Sequence, residues 1–308
     1  MEIIPCDLCG AEDTEIIFSP DSGQRLFPSG TALVRCRRCG LLYLNPRPSV
    51  KEIGAWYPAD YAPYRSAIES EPSPLMRFVR RVKLERRRKL IEKYSGLKTG
   101  TILDVGCSTG LFLHEMQQHG WRALGVELIS SAAEYARSLF KLDVFVGELP
   151  QAPFPPGFFD VITFWDVLEH SFSPMASLSC AARLLKPGGL LLLNIPNYHS
   201  LDRVIFGADW IGYDPPRHLY VFTRGTLSAL LERNGFQPFR RLGFISSYFS
   251  FIISLESWLA RHFPLLAKPV GKALNIPGVR VLFEPFFGLM NALGRGGVIA
   301  VLAFKKTS

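Results

Sequence analysis

The chain has 308 residues, 48% apolar and 20% charged, and carries a net charge of +8. These values are ordinary for a globular protein and exclude a disordered chain, a collagen-like chain and a disulfide-stapled miniprotein. Such a length forms one large domain or two modest ones, with a sizeable core.

The first 46 residues read as a metal module. Cys6-Asp7-Leu8-Cys9-Gly10 and Cys36-Arg37-Arg38-Cys39-Gly40 are two CxxC pairs, each followed by Gly and separated by 26 residues. A CxxC turn aims two sulfurs at one point, and the following Gly permits the tight backbone this needs. Four thiolates favour a closed, structural zinc site, with iron as the lesser option. Cys107 and Cys180 stand alone and read as packed thiols. Strands are expected at Ala32 to Arg35 and Leu41 to Leu44. The opening Met1-Glu2-Ile3-Ile4-Pro5-Cys6 has no basic start followed by an apolar run, so a cytoplasmic location is expected by default.

Residues 47 to 99 read as a Pro- and Tyr-rich connector followed by a basic helix ending near Gly96. Within it, residues 77 to 93 hold nine basic and two acidic residues. Residues 240 to 308 hold nine more basic residues against Glu256 and Glu284. The remainder of the chain is therefore mildly acidic. Two readings of the basic helix stand: a solvated face, or a surface for anionic lipid or phosphate.

From 100 to 308 strands and helices alternate. Strands are expected at Thr101–Val105, Ala123–Glu127, Val144–Val146, Val161–Trp165, Leu190–Ile195, Gln237–Phe244 and Val298–Phe304. Helices are expected after the first strand, at Ser130–Phe140 with Ser130 as its cap, at Pro174–Leu185 and at Thr226–Asn234. This alternation predicts an α/β fold: a doubly wound, Rossmann-like, mostly parallel seven-stranded sheet. No internal repeat or low-complexity tract occurs.

The central motif is Leu103-Asp104-Val105-Gly106-Cys107-Ser108-Thr109-Gly110-Leu111, at a strand end and opening a helix. Small residues let a ligand approach the backbone, and the helix start offers free N–H groups. Glu127 closes the next strand, where an acid suits two ribose hydroxyls. A carboxylate at the strand tip, Asp104, suits a cationic ligand group more than a pyrophosphate. The spacing is not GxGxxG.

Here the sequence resembles the class I S-adenosylmethionine-dependent methyltransferases, in particular the branch with ubiquinone-biosynthesis O-methyltransferases and bacterial sugar or polysaccharide methyltransferases. The segments that carry this are ILDVGCSTGLFL, GVELISSAAEYAR, GELPQAPFPPGFFDVITFWDVLEH and LLKPGGLLLLNIPN, in order over 102 to 197. The resemblance implies S-adenosylmethionine as cofactor. It implies that Asp104 holds the methionine amino group and that Gly106 and Gly110 make room for the cofactor. Glu127 would bind the ribose, Glu148 and Leu149 would flank the adenine, and Asp166 would line the methionine end.

Methyl transfer from a sulfonium needs mainly proximity and orientation, and an oxygen acceptor also needs a base. His170 and His218 both lie beyond strand ends and are the candidates. The acceptor pocket is expected from 197 to 223, with Tyr198, His199, Trp210, Tyr213 and Tyr220. The insertion at about 245 to 295 is apolar, aromatic and basic. It reads as a helical lid or as an amphipathic surface touching an anionic membrane. No segment reaches the ~20 apolar residues of a membrane span. The acceptor is expected to be a small molecule, a glycan or a lipid-linked molecule. The alternatives are an RNA methyltransferase with a zinc module, or a non-enzymatic zinc-ribbon interaction protein. The basic helix lacks interleaved aromatics, which argues against nucleic acid.

Overall fold

A computed structural model describes residues 1–20, 27–57, 68, 71, 73–243 and 247–307. Positions 58–67, 69, 70 and 72 of the expected connector lie outside the described residues, as do Phe244 and the first two residues of the insertion. Short strands β1 (Thr14–Phe18), β2 (Leu33–Cys36) and β3 (Leu42–Leu44) form an antiparallel ribbon, followed by the single turn of α1 (Val50–Ile53).

The basic helix is α2 (Pro74–Ser95). Ser73 caps it by accepting from the Met76 N–H at 3.3 Å, and Gly96 closes it in the left-handed conformation with φ 73°. It is not simply a solvated face. Ile91 is fully buried, and Arg88 donates to Glu92 at 2.6 Å and to Glu115 of the next helix at 3.0 Å.

The alternation then runs β4 (Thr101–Val105), α3 (Leu111–Gln118), β5 (Arg122–Glu127), α4 (Ser130–Phe140), β6 (Asp143–Val146), β7 (Phe159–Trp165), α5 (Pro174–Leu184) and β8 (Leu185–Pro196). There follow α6 (Leu201–Phe206), β9 (Tyr220–Val221), α7 (Arg224–Arg233), β10 (Phe236–Gly243) and, after three helices, β11 (Val298–Lys305). The order in the large sheet is β10-β11-β8-β7-β4-β5-β6. Strands β4 to β8 run parallel, and β11 is antiparallel to both β8 and β10. This is the expected seven-stranded, mostly parallel sheet.

Alternate residues of each strand enter different cores. Ile102, Val161, Leu190, Leu192 and Ala300 face Ile91, Phe112, Leu113 and Met116 of α2 and α3. Leu103, Ile162, Leu191, Leu193 and Val301 face Leu178 and Ala181 of α5 and Leu230 of α7. Both faces being covered explains why Leu190 to Leu193 is uninterrupted apolar sequence, with the buried Asn194 following it.

Ser130 is not the cap of α4. Ile129 holds that place, and its N–H donates to Glu127 Oε1 at 2.9 Å. No side chain caps the helix; the Ile129 carbonyl accepts from the Ala132 and Ala133 N–H groups, each at 3.1 Å.

Strand β9 belongs to the ribbon. Its Tyr220 pairs with Tyr43 and its Val221 with Leu42, giving a four-stranded sheet β1-β2-β3-β9. The ribbon is further tied down by Asp7, which accepts from Ser173 Oγ and the Met175 N–H, each at 2.8 Å, at the start of α5. Arg47, 7% exposed, donates to the Phe172 carbonyl at 2.8 Å and to Tyr220 Oη at 3.1 Å.

The insertion between β10 and β11 is helical: α8 (Ser247–His262), α9 (Pro264–Leu274) and α10 (Pro277–Ala292). Helix α8 packs on α6. Ser250 Oγ donates to Asp202 at 2.8 Å, and Ser254 Oγ accepts from the Ile211 N–H at 3.0 Å. Helices α9 and α10 leave large apolar side chains in solvent, with Leu265 90% and Leu282 78% exposed. No helix of the described residues is long and apolar enough to cross a membrane.

Candidate functional site

The ribbon brings Cys6, Cys9, Cys36 and Cys39 together with all four sulfurs within 4.8 Å of one another. None is in a disulfide. Tetrahedral zinc with bonds of about 2.3 Å needs sulfurs roughly 3.8 Å apart, so this set fits the ion with small adjustments. Gly10 and Gly40, with φ 72° and 78°, complete the two turns, and the N–H groups of Leu8, Cys9, Arg38 and Cys39 point at thiol sulfurs.

The second site lies at the carboxyl ends of β4, β5 and β7. The chain order of the sheet reverses between β4 and β7, which is where open α/β sheets bind ligands. Asp104 is 3% exposed near the end of β4 and accepts from Thr163 Oγ1 at 2.6 Å. Burial pushes its carboxyl up to about 7, while the Thr163 hydroxyl and Arg87 pull it down and Glu127 pushes it up. Glu127 accepts from the Ser108 N–H at 2.8 Å and the Ile129 N–H at 2.9 Å. Burial raises its carboxyl, and these backbone donors oppose the rise. Each Glu127 oxygen keeps a lone pair for a ligand hydroxyl.

Gly106 has φ 71°, and a Cβ there would lie 2.5 Å from Val167 Cγ2, so the turn after β4 fits tightly under the β7 loop. Gly110 is tightly fitted as well. A Cβ on it would meet Leu142 Cδ1 at 2.6 Å and Ala136 Cβ at 2.8 Å, so its missing side chain makes room for α4 and its following turn. Glu148 opens a 3-10 turn over Leu149–Gln151, placed beside β5 by the Gly147 N–H donating to the Glu127 carbonyl at 3.0 Å. Leu149 is 2% exposed and packs in the core.

Asp166 follows β7 with φ 58°, an uncommon backbone for a non-glycine residue. It accepts from Asn194 Nδ2 at 2.6 Å, and its other oxygen lies 4.0 Å from Arg87 Nη2. Arg87 reaches this point from α2. Its side chain is 13% exposed, and its guanidinium lies 4.2 Å from the Trp165 ring centroid. Among the described residues, the buried atoms Arg87 Nε and Asn194 Oδ1 have no hydrogen-bond partner. Buried polar atoms without partners mark a place for a polar ligand. Three acids and one arginine around one cleft fit a ligand with an ammonium, a cationic sulfur, a carboxylate and ribose hydroxyls, which S-adenosylmethionine has.

His170 and His218 come together beyond β7, with ring centroids 4.6 Å apart. His218 Nδ1 lies 2.9 Å from the Gly212 carbonyl, and His170 Nδ1 lies 2.9 Å from the Arg217 carbonyl and 3.0 Å from Tyr57 Oη. A carbonyl only accepts, so each Nδ1 carries the hydrogen and each Nε2 is left with a lone pair. Burial, and His218 beside it, hold His170 well below the usual imidazole range. Glu169 is 1% exposed, joins the same cluster and has no partner for either carboxylate oxygen among the described residues.

Arg87, Glu169 and Asn194 were missed from sequence. Arg87 is one of nine basic residues in its helix, and nothing local separates it from Arg86 or Arg88. Glu169 sits beside a histidine already singled out, and adjacency was its available signal.

A family model described as "Methyltransferase domain" matches residues 76–239, just over half of the chain. The chain is 31% identical over 143 residues to the ubiquinone biosynthesis O-methyltransferase of Pseudomonas paraeruginosa, covering 44% of this chain and 61% of that protein. It is 27% identical over 146 residues to a "Probable S-adenosylmethionine-dependent methyltransferase" of Mycolicibacterium smegmatis, covering 46% and 54%. It thus spans less than two thirds of the length of these relatives. A crystal structure of a "putative sarcosine dimethylglycine methyltransferase" from Galdieria sulphuraria superposes with a TM-score of 0.52 at 14% identity, covering 79% of this chain and 91% of that one. At that identity the likeness shows the fold alone.

Proposed function

The chain belongs to the methyltransferase-domain family, and from that membership we propose that it is an S-adenosylmethionine-dependent methyltransferase acting on oxygen of a small-molecule, glycan or lipid-linked acceptor. The observation that carries this is the cradle of buried Asp104 and Glu127, largely buried Arg87 and exposed Asp166 at the β4/β7 reversal, with Arg87 Nε and Asn194 Oδ1 left for a ligand.

When bound, S-adenosylmethionine supplies a methyl group activated on a cationic sulfur. Asp104 and Asp166 hold its ammonium. Arg87 holds its carboxylate, reaching between the two acids from α2. Glu127 binds the ribose hydroxyls with its spare lone pairs. The turn at Glu148 and Leu149 borders the adenine. These contacts fix the reacting group in line with the acceptor, which is the main contribution an enzyme makes to this chemistry.

The acceptor side is the histidine cluster. His170 and His218 border the acceptor hydroxyl and promote the loss of its proton. Oxygen as the methylated atom is supported by the O-methyltransferase name of the Pseudomonas relative. A structural zinc on Cys6, Cys9, Cys36 and Cys39 holds the ribbon, and the ribbon holds β9, two residues after His218.

A lipid-linked acceptor is supported by the outer face of α9 and α10. Leu265, Leu266, Leu282, Phe286 and Leu289 are exposed there. Lys268 and Lys272 are exposed on the same helix pair. An apolar surface with basic residues suits a peripheral contact with an anionic membrane at the bilayer surface.

The test is incubation with methyl-labelled S-adenosylmethionine and fractionated small-molecule, glycan and lipid extracts. Label in a defined product that is lost with His218→Ala supports the assignment. Label in none of the three fractions, from protein that binds the cofactor, would remove these acceptor classes.

A further inference from the structure

We infer that Glu169, His170 and His218 form a binding site for a divalent first-row transition ion on the acceptor side of the cleft. The role given to the ion rests on the methyltransferase assignment; its binding does not.

One potential ligand atom from each of the three residues lies within 4.8 Å of the others. Tetrahedral bonds of about 2.1 Å place donors roughly 3.4 Å apart, so the donors must close by up to about 1.4 Å, which side-chain rotation supplies. Both imidazoles are already set for coordination. Each Nδ1–H is anchored on a backbone carbonyl at 2.9 Å, which fixes the ring and leaves Nε2 unprotonated. That anchoring is the usual outer support of a metal-bound histidine.

Glu169 supplies the independent observation. Its carboxyl is 1% exposed, and neither oxygen has a hydrogen-bond partner among the described residues. A buried carboxylate without a partner is costly, because desolvation is not repaid. Its carbonyl accepts from the Leu219 N–H at 2.8 Å, which holds the residue in place beside the two histidines. A divalent ion supplies the missing charge.

Two imidazoles and one carboxylate suit zinc, iron, manganese or cobalt in their divalent states rather than magnesium or calcium. Three protein ligands leave further positions open, as in catalytic metal sites and unlike the closed four-thiolate ribbon. An acceptor hydroxyl can take an open position, where the ion lowers its pKa and it loses its proton to solvent. The oxygen's electron pair then forms the new C–O bond, the sulfur–methyl bond breaks, and the sulfur leaves as a neutral thioether. The ion keeps its oxidation state throughout.

The full-length protein, saturated with Zn2+ under reducing conditions and desalted, is analysed for metal per chain. Wild type should hold one equivalent more than Glu169→Gln and one more than His218→Ala. Equal content in all three overturns the site. Should the variants fail to fold, Co2+ titration of wild type decides. Visible absorption that continues to grow after the thiolate charge-transfer band saturates supports a second, sulfur-free site. Absorption that ends with the thiolate band overturns it. Calorimetry with S-adenosylmethionine on the same samples separates the two ideas, because a second ion without cofactor binding would leave the site standing and sink the methyltransferase assignment.

Discussion

The Arg87 guanidinium lies 4.2 Å from the centroid of Trp165, the last residue of β7, with one nitrogen 4.0 Å from Asp166 at the start of the following loop. A residue of the basic helix thus stands among the acids at the strand ends. Burial draws Arg87 below its usual range while Asp166 and Asp104 hold it up. It is the cation of a site otherwise lined by acids.

Arg87→Met should therefore weaken S-adenosylmethionine binding more than it weakens the fold. A charged hydrogen bond of roughly 1.5–3 kcal/mol corresponds to a Kd raised about 10- to 100-fold. Calorimetry measures the affinity and thermal melting the fold. An unchanged Kd would remove Arg87 from the cofactor site.

Asp104 gives a pH signature. Its carboxyl, pushed up to about 7, is raised above the unfolded value near 4. The sign is that of a group that binds its proton more tightly when folded. Its contribution is fully favourable at acid pH and is lost as pH rises through about 7. Asp104→Asn should accordingly raise the melting temperature of the ligand-free protein at pH 8 relative to wild type, with a smaller gain at pH 5. The same variant should bind S-adenosylmethionine poorly at both. Cofactor affinity of wild type should increase from pH 6 to pH 8 as the carboxylate forms beside Arg87, Glu127 and Thr163. A flat affinity profile would contradict the role given to Asp104.

Gly106→Ala tests the fit under the β7 loop. All three of the nearest atoms to the added Cβ belong to the Val167 side chain, and φ is 71°. The left-handed backbone and the overlap together should cost about 2–3 kcal/mol. Adding Val167→Ala should recover the steric part and leave the backbone part. Denaturant unfolding of the single and double variants measures both. No recovery would mean that the strain lies elsewhere.

The ribbon couples to the acceptor side through β9, which pairs with β3 two residues after His218. Cys36→Ser should speed hydrogen exchange at Leu42–Leu44 and Tyr220–Val221 while β4 to β8 stay protected. The expected kinetic result is a fall in turnover with little change in S-adenosylmethionine affinity. Uniform loss of protection over the large sheet would contradict this local coupling.

Much of this was legible in sequence. The strands of the large sheet were readable because each is a short apolar run between turn signals. The four cysteines were readable because CxxC spacing leaves few alternatives. Asp104 and Glu127 were readable as a pair of candidate acids because they stand at strand ends. What stayed hidden was non-local. Strand β9 is two residues long and gains its identity from Tyr43 and Leu42, far away in sequence. Arg87 is distinguished from its neighbours only by the direction it faces. The close packing of Gly110 against Leu142 and Ala136 was also hidden, because it brings together residues of α4 and the turn after it. The cap at Ser130 failed because the helix begins one residue earlier, with the Ile129 carbonyl accepting from the Ala132 and Ala133 N–H groups.

The membrane-facing proposal has its own check. Leu282→Glu with Leu265→Glu should abolish flotation with vesicles containing anionic phospholipid at low salt, without lowering S-adenosylmethionine affinity. Wild-type protein that does not float under those conditions would contradict it.

The most direct test of the central claim is calorimetric titration of the wild-type chain with S-adenosylmethionine. The cradle of Asp104, Glu127, Asp166 and Arg87 predicts saturable binding at one site per chain, in the micromolar range typical of enzyme substrates, and its loss in Asp104→Asn. Folded protein that shows no saturable binding at millimolar S-adenosylmethionine would contradict it.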